Sequence, residues 1–132
     1  MKIHYKCPFC DGFIDMDGDV IFGARNEEGE MGLIALHQRL GDYTVKTGHE
    51  FYFKEGGKVD FYCPICHADL KSKVHNNLAL IRMVDEKKNE FSILFSQVAG
   101  EKSTYKIIGE TMDIFGDDSA EYLDFINLSM NF

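Results

Sequence analysis

Four cysteines could do chemistry in this chain. They come as two pairs, Cys7/Cys10 and Cys63/Cys66, each separated by two residues. That spacing lets one tight turn aim both sulfurs at a single ion. Two such turns supply the four thiolates that a tetrahedral Zn²⁺ prefers. The pairs therefore predict one Cys₄ metal centre at Cys7, Cys10, Cys63 and Cys66. The units around them are alike. Tyr5-Lys6-Cys7-Pro8-Phe9-Cys10-Asp11-Gly12-Phe13-Ile14 parallels Tyr62-Cys63-Pro64-Ile65-Cys66-His67-Ala68-Asp69-Leu70. Each has Cys-Pro-apolar-Cys at its centre and an apolar residue four places later, and the only two prolines, Pro8 and Pro64, fall inside them. The residue after the second cysteine of such a turn commonly needs a left-handed backbone. Asp11 and His67 stand there, and both types tolerate that region better than most non-glycine residues. A full sulfur shell leaves no open position, so metal-assisted hydrolysis is not expected. The ion would instead staple the intervening segment, 11–62, and loop-closure entropy grows only slowly with such a length.

Cys-Pro-x-Cys at both sites resembles the zinc-ribbon group, whose members carry two such knuckles on two hairpins. The resemblance covers the residues around the knuckles and implies a structural Zn²⁺ and a local ribbon fold. It implies no single function, because zinc ribbons serve transcription, translation, enzymes and protein interfaces. Three other chemistries use parts of the same pattern. Rubredoxins are similar in holding one Fe on two knuckles, and a Cys₄ shell accepts iron. The missing glycine after each second cysteine and the long spacer argue against them. Cys7-Pro8-Phe9-Cys10 is similar to a glutaredoxin site, which needs a following helix to lower its thiol pKa. The residues that follow, 11–19, hold two glycines and four acids. Cys63-Pro64-Ile65-Cys66-His67 fits a c-type haem attachment, but that would leave Cys7 and Cys10 unexplained.

The remaining motifs have ordinary readings. Asp15, Asp17 and Asp19 alternate like the first ligands of a Ca²⁺ loop, yet Val20 and Asn26 stand where that loop needs Gly and Glu. A solvated acidic turn is expected. Gly100-Glu101-Lys102-Ser103 loosely resembles a phosphate loop but lacks its glycine spacing, so a hairpin turn is expected. His4, His37, His49, His67 and His75 pair with no nucleophile by spacing. His67 alone could support the metal or replace a ligand. Lys71, Lys73, His75 and Arg82 form a small basic cluster after the second knuckle and read as a solvated strand face. Tyr5, Phe9, Phe13, Phe51, Tyr52, Phe53, Phe61 and Tyr62 are expected to form an apolar core over the site.

These groups need a scaffold. At 132 residues and 45% hydrophobic content, the chain suits a single domain, 1–132, able to bury roughly two thirds of its surface. Asp and Glu number 22 against 14 Lys and Arg, for a net charge of −8. Four thiolates on one dication would bring that near −10. Such a balance disfavours nucleic acid and anionic membranes. No apolar run reaches the length of a membrane span. Residues 1–7 lack an apolar signal core, so the expected compartment is the cytoplasm, where thiols stay reduced.

Hydrophobic alternation predicts a mainly β chain. Strands are expected at 20–23 and 32–36 around the turn at 26–29, and at 43–47. A hairpin is expected between 51–54 and 59–62, turning at Gly56-Gly57 and running into Cys63. A three-strand meander follows at 78–84, 91–97 and 105–108. Residues 107–132 hold six acids and no Lys or Arg. A helix is expected over 118–128, capped by Asp118 or Ser119, with Tyr122, Phe125 and Ile126 on one face. The overall expectation is a zinc ribbon with a long β insertion between its knuckles (1–77), then a β meander and an acidic C-terminal helix (78–132). With a closed metal shell and no catalytic constellation, the expected role is non-catalytic, with a protein as partner. A nucleic-acid-binding ribbon and an iron electron carrier are the alternatives.

Overall fold

The computed structural model describes residues 2–128. Ten strands form two antiparallel sheets, and a short helical segment follows them. In the first sheet the order is β1 (His4–Lys6), β7 (Leu78–Val84), β8 (Glu90–Ser96), β9 (Thr104–Ile108) and β10 (Thr111–Phe115). In the second, β2 (Asp15–Met16), β3 (Asp19–Arg25), β4 (Met31–His37) and β5 (Val45–Thr47) run in order, and β6 (Asp60–Tyr62) also pairs with β3.

Side-chain alternation explains the layering. Successive strand residues point to opposite faces. In β3, Val20, Phe22 and Ala24 are buried while the residues between them are only partly so. β7 is apolar on both faces. Its Ala79, Ile81 and Met83 join Ile93 and Phe95 of β8 in a core shared with Val20, Phe22, Ile34 and Phe61 of the second sheet. Its Leu78 and Leu80 join Leu94, Tyr105 and Ile107 on the opposite side, under Tyr122 and Ile126 of the helical segment. The first sheet is thus the middle layer, covered by a sheet on one face and by a helical segment on the other.

The meander has one strand more than expected. β10 lies at the sheet edge with no buried residue, so it carries no core pattern to read. β1 was equally invisible at three residues. The hairpin expected at 51–54 and 59–62 does not form. β6 pairs instead with β3, in the register Gly23↔Tyr62 and Arg25↔Asp60. Residues 51–54 form no strand, and Phe51 is buried as a core plug. Gly32 makes room for it: a Cβ at that position would lie 2.7 Å from the Phe51 Cβ. The turn after 54 does form, with the Gly57 amide donating to the Lys54 carbonyl at 2.9 Å.

The C-terminal helix is shorter and tighter than expected. A 3₁₀ turn, Ser119–Tyr122, leads into α1, Leu123–Leu128. Asp118 makes no side-chain cap. Its carboxylate accepts the Lys102 amide at 2.9 Å, tying the segment to the β8–β9 connection. Gly116 permits this approach, with φ at +98° and the Lys102 carbonyl oxygen 2.2 Å from where a Cβ would stand. Tyr122 and Ile126 face inward as expected, but Phe125 stays 47% exposed, its ring against His75. Residues 129–132 of the predicted acidic segment lie outside the described residues. Among those described, no helix is long and apolar enough to cross a membrane.

Candidate metal centre

Each cysteine pair sits at the tip of a hairpin, and the two tips share one backbone pattern. In the first, the Cys7 amide donates to Gly12, the Asp11 amide to Cys7 and the Ile14 amide to Tyr5. In the second, Cys63 donates to Ala68, His67 to Cys63 and Leu70 to Phe61. Asp11 and His67 adopt the left-handed backbone the turn requires, at φ 59° and 65°. Amide groups also point at the sulfurs. Phe9 N–H lies 3.3 Å from Cys7 Sγ and Gly12 N–H 3.4 Å from Cys10 Sγ. Ile65 N–H and Cys66 N–H lie 3.3 and 3.4 Å from Cys63 Sγ. Such contacts hold negative charge on sulfur.

The two central strands bring the tips together. The arm entering the first knuckle is β1, which pairs with β7 as Tyr5↔Met83. The arm leaving it is β2, which pairs with β3 as Asp15↔Val20. At the second knuckle the partners exchange: β6 enters from β3, and the segment after the knuckle bridges β7 at Lys71↔Ala79. Both knuckles therefore hang between the same two strands, one from each sheet.

The result is a group of four sulfurs. All four Sγ atoms lie within 4.8 Å of one another. Cys7 and Cys66 are 3.8 Å apart, as are Cys10 and Cys63. A tetrahedron with metal–sulfur bonds of about 2.3 Å has edges of about 3.8 Å. The donor set thus fits a tetrahedral ion and could hold one. Every cysteine is free of a disulfide. Cys7 and Cys63 are sealed in the core, whereas Cys10 and Cys66 are exposed.

Proton affinities across the cluster are uneven. Burial pushes the Cys7 thiol up to about 12. Burial also acts on Cys63, but the Cys66 and Ile65 amides outweigh it and hold that thiol below its ordinary value. The backbone amides thus favour negative charge on Cys63 over Cys7. A complete thiolate shell needs a cation to offset the mutual repulsion.

The other residues singled out in the sequence fall elsewhere. His67 lies outside the sulfur group and serves the turn through its backbone. Asp17 and Gly18, at φ 54° and 86°, make the two-residue turn between β2 and β3. Asp15 accepts the Tyr5 amide at 2.9 Å, and Asp19 pairs with Lys46 at 3.0 Å. The aromatic residues divide. Tyr5, Phe51 and Phe61 are buried, but Phe9 and Phe13 are 63% and 61% exposed, and Ile65 is 55% exposed. The expectation that Phe9 and Phe13 cover the site is therefore corrected. The third position of Cys-Pro-x-Cys lies at the turn apex between two ligands, so Phe9 and Ile65 point out beside the cluster. That spacing was the available signal.

No family model matches the chain, and no curated protein or solved structure does either.

Proposed function

We propose that Cys7, Cys10, Cys63 and Cys66 hold one structural Zn²⁺ in a zinc-ribbon-like centre, and that the chain is a non-catalytic module that docks on a protein in the cytoplasm. The sulfur tetrahedron carries the metal part of this reading. An ion there would cross-link the two sheets at one corner. With all four positions filled by protein, it would offer none to a substrate. Free thiols this close together suit a reducing compartment. The docking part rests on the exposed Phe9, Phe13 and Ile65 beside the centre. Apolar side chains on a chain of charge −8 favour a protein surface over a polyanion.

Elemental analysis of chelator-free protein tests the first part. One zinc per chain and no colour is the expected result. One iron and a red protein would move the function to electron transfer, and no metal would overturn the centre. For the second part, affinity capture with the wild type is compared with a Phe9→Ser, Ile65→Ser double variant. A protein partner held by the former and lost by the latter is expected. Recovery of nucleic acid alone, with steep salt dependence, would overturn the docking reading.

A further inference from the structure

The core between the sheets is not filled. A cavity of about 210 Å³ lies there, walled by Tyr5, Phe22, Phe61, Ile93 and Phe95. Most polar lining residues lie toward the surface, and the buried Thr104 is paired with the Tyr43 hydroxyl at 2.9 Å; the buried lining side chain left without a partner is that of Gln97. Gln97 lines the cavity and is only 1% exposed. Neither its Nε2 nor its Oε1 has a hydrogen-bond partner among the described residues. Its backbone, by contrast, is fully engaged. The Gln97 amide donates to the Asn77 carbonyl at 2.7 Å, and the Gln97 carbonyl accepts the Val59 amide at 2.8 Å. The main chain therefore fixes the residue in the wall while the carboxamide is left unused.

That arrangement is costly without an occupant. Each buried polar group without a partner loses its hydration and gains nothing in return. A leucine at this position would avoid the cost, so the glutamine is explained by something it binds. The volume limits the candidates. A dry cavity of about 150 Å³ takes a benzene-sized molecule, so the space here suits one ring with a small substituent. The anchor limits them further. A carboxamide presents a donor and an acceptor side by side, and its complement is another group that does the same. A charged group is disfavoured by the desolvation it would undergo. The exposed lining residues Arg39, Gly41, Gly100 and Lys102 mark where the cavity opens.

We propose that this cavity between the sheets binds a small, neutral, mostly apolar molecule whose carboxamide or lactam group pairs with the side chain of Gln97. The site is separate from the cysteine cluster and does not depend on the docking reading.

The test titrates the metal-loaded full chain with benzamide and with cumene, an apolar molecule of the same heavy-atom count, followed by backbone amide NMR shifts. Benzamide is expected to give saturable shifts at Val59, Phe61 and Phe95. Gln97→Leu and, as a second and more flexible replacement, Gln97→Met should each weaken benzamide roughly tenfold or more, the scale of an unpaired polar contact. Both should bind cumene at least as well as the wild type and melt no lower. Unchanged benzamide affinity in both variants would overturn the proposal. So would the absence of saturable shifts, or a crystal structure grown with benzamide that shows only ordered water on the Gln97 amide.

Discussion

The two ends of the chain meet the same central sheet in opposite ways. At the first knuckle, β1 joins the edge of β7 by backbone pairing, and the chain turns at once into the cysteine cluster. Four sulfurs and two matched turns define that corner. At the other end, the helical segment brings Tyr122 and Ile126 onto Leu78, Leu80, Leu94, Tyr105 and Ile107. Its polar ties are few: Asp118 exchanges two hydrogen bonds with the Lys102 backbone, the Tyr105 hydroxyl donates to the Ser119 carbonyl, and Asn77 Nδ2 donates to the Tyr122 hydroxyl at 3.4 Å. One region is organised by directional bonds to a point. The other is organised by burying side chains over an area. Directional sites fail when one ligand goes, whereas buried faces weaken in proportion to what is removed.

The largest effect is expected from Cys63→Ser. It should abolish metal retention and cost on the order of 3 kcal/mol or more, because metal binding is folding free energy. For a domain this size that lowers the thermal midpoint by about 10 °C. Elemental analysis and calorimetry read both. Next comes Tyr122→Ala, which empties a buried aromatic site and should cost about 3 kcal/mol in urea unfolding. Metal content should stay at one per chain. Loss of metal in this variant would break the comparison, since the two regions would then be one unit.

Smaller changes sharpen it. His67→Val places a β-branched residue at a left-handed position and should cost about 1–2 kcal/mol. His67→Gly should leave retention unchanged or slightly improved. Competition against a chelator measures both. The smallest effect belongs to the β7–β8 turn, which supplies no residue to the cysteine cluster or to the core under the helical segment. Desolvation pulls the Asp85 carboxyl upward, but hydrogen bonds from Asn89 and Lys87 outweigh it, and the pKa lies below the usual value. A depressed carboxylate stabilises the fold above its unfolded pKa, and that contribution is lost as pH falls through the folded one. Asp85→Ala should therefore lower the midpoint slightly at neutral pH and make no difference once the carboxyl is protonated.

Sequence reading succeeded where local pattern decides the outcome. The cysteine spacing, the left-handed Asp11 and His67, and the strands β3, β4, β7, β8 and β9 all follow from near neighbours. It failed where a distant partner decides. Phe51 and Phe53 look like strand residues, but the gap at Gly32 turns Phe51 into a plug. β6 pairs with β3, far earlier in the chain, rather than with its neighbour. Phe9 looks like core because it is aromatic, and is exposed because of its place at a turn apex. Gln97 is an unremarkable polar residue in sequence. Its meaning comes wholly from the unfilled space beside it.

The pairing of β1 with β7 bears on synthesis. Within its own hairpin Tyr5 is held by Ile14 and Asp15, but its place in the sheet is set against Met83, so the first knuckle is not docked until β7 has left the ribosome. Until then Cys7 and Cys10 travel as an open pair of thiols on a nascent chain. A cell making this protein under oxidative stress would meet its most vulnerable form before folding is complete.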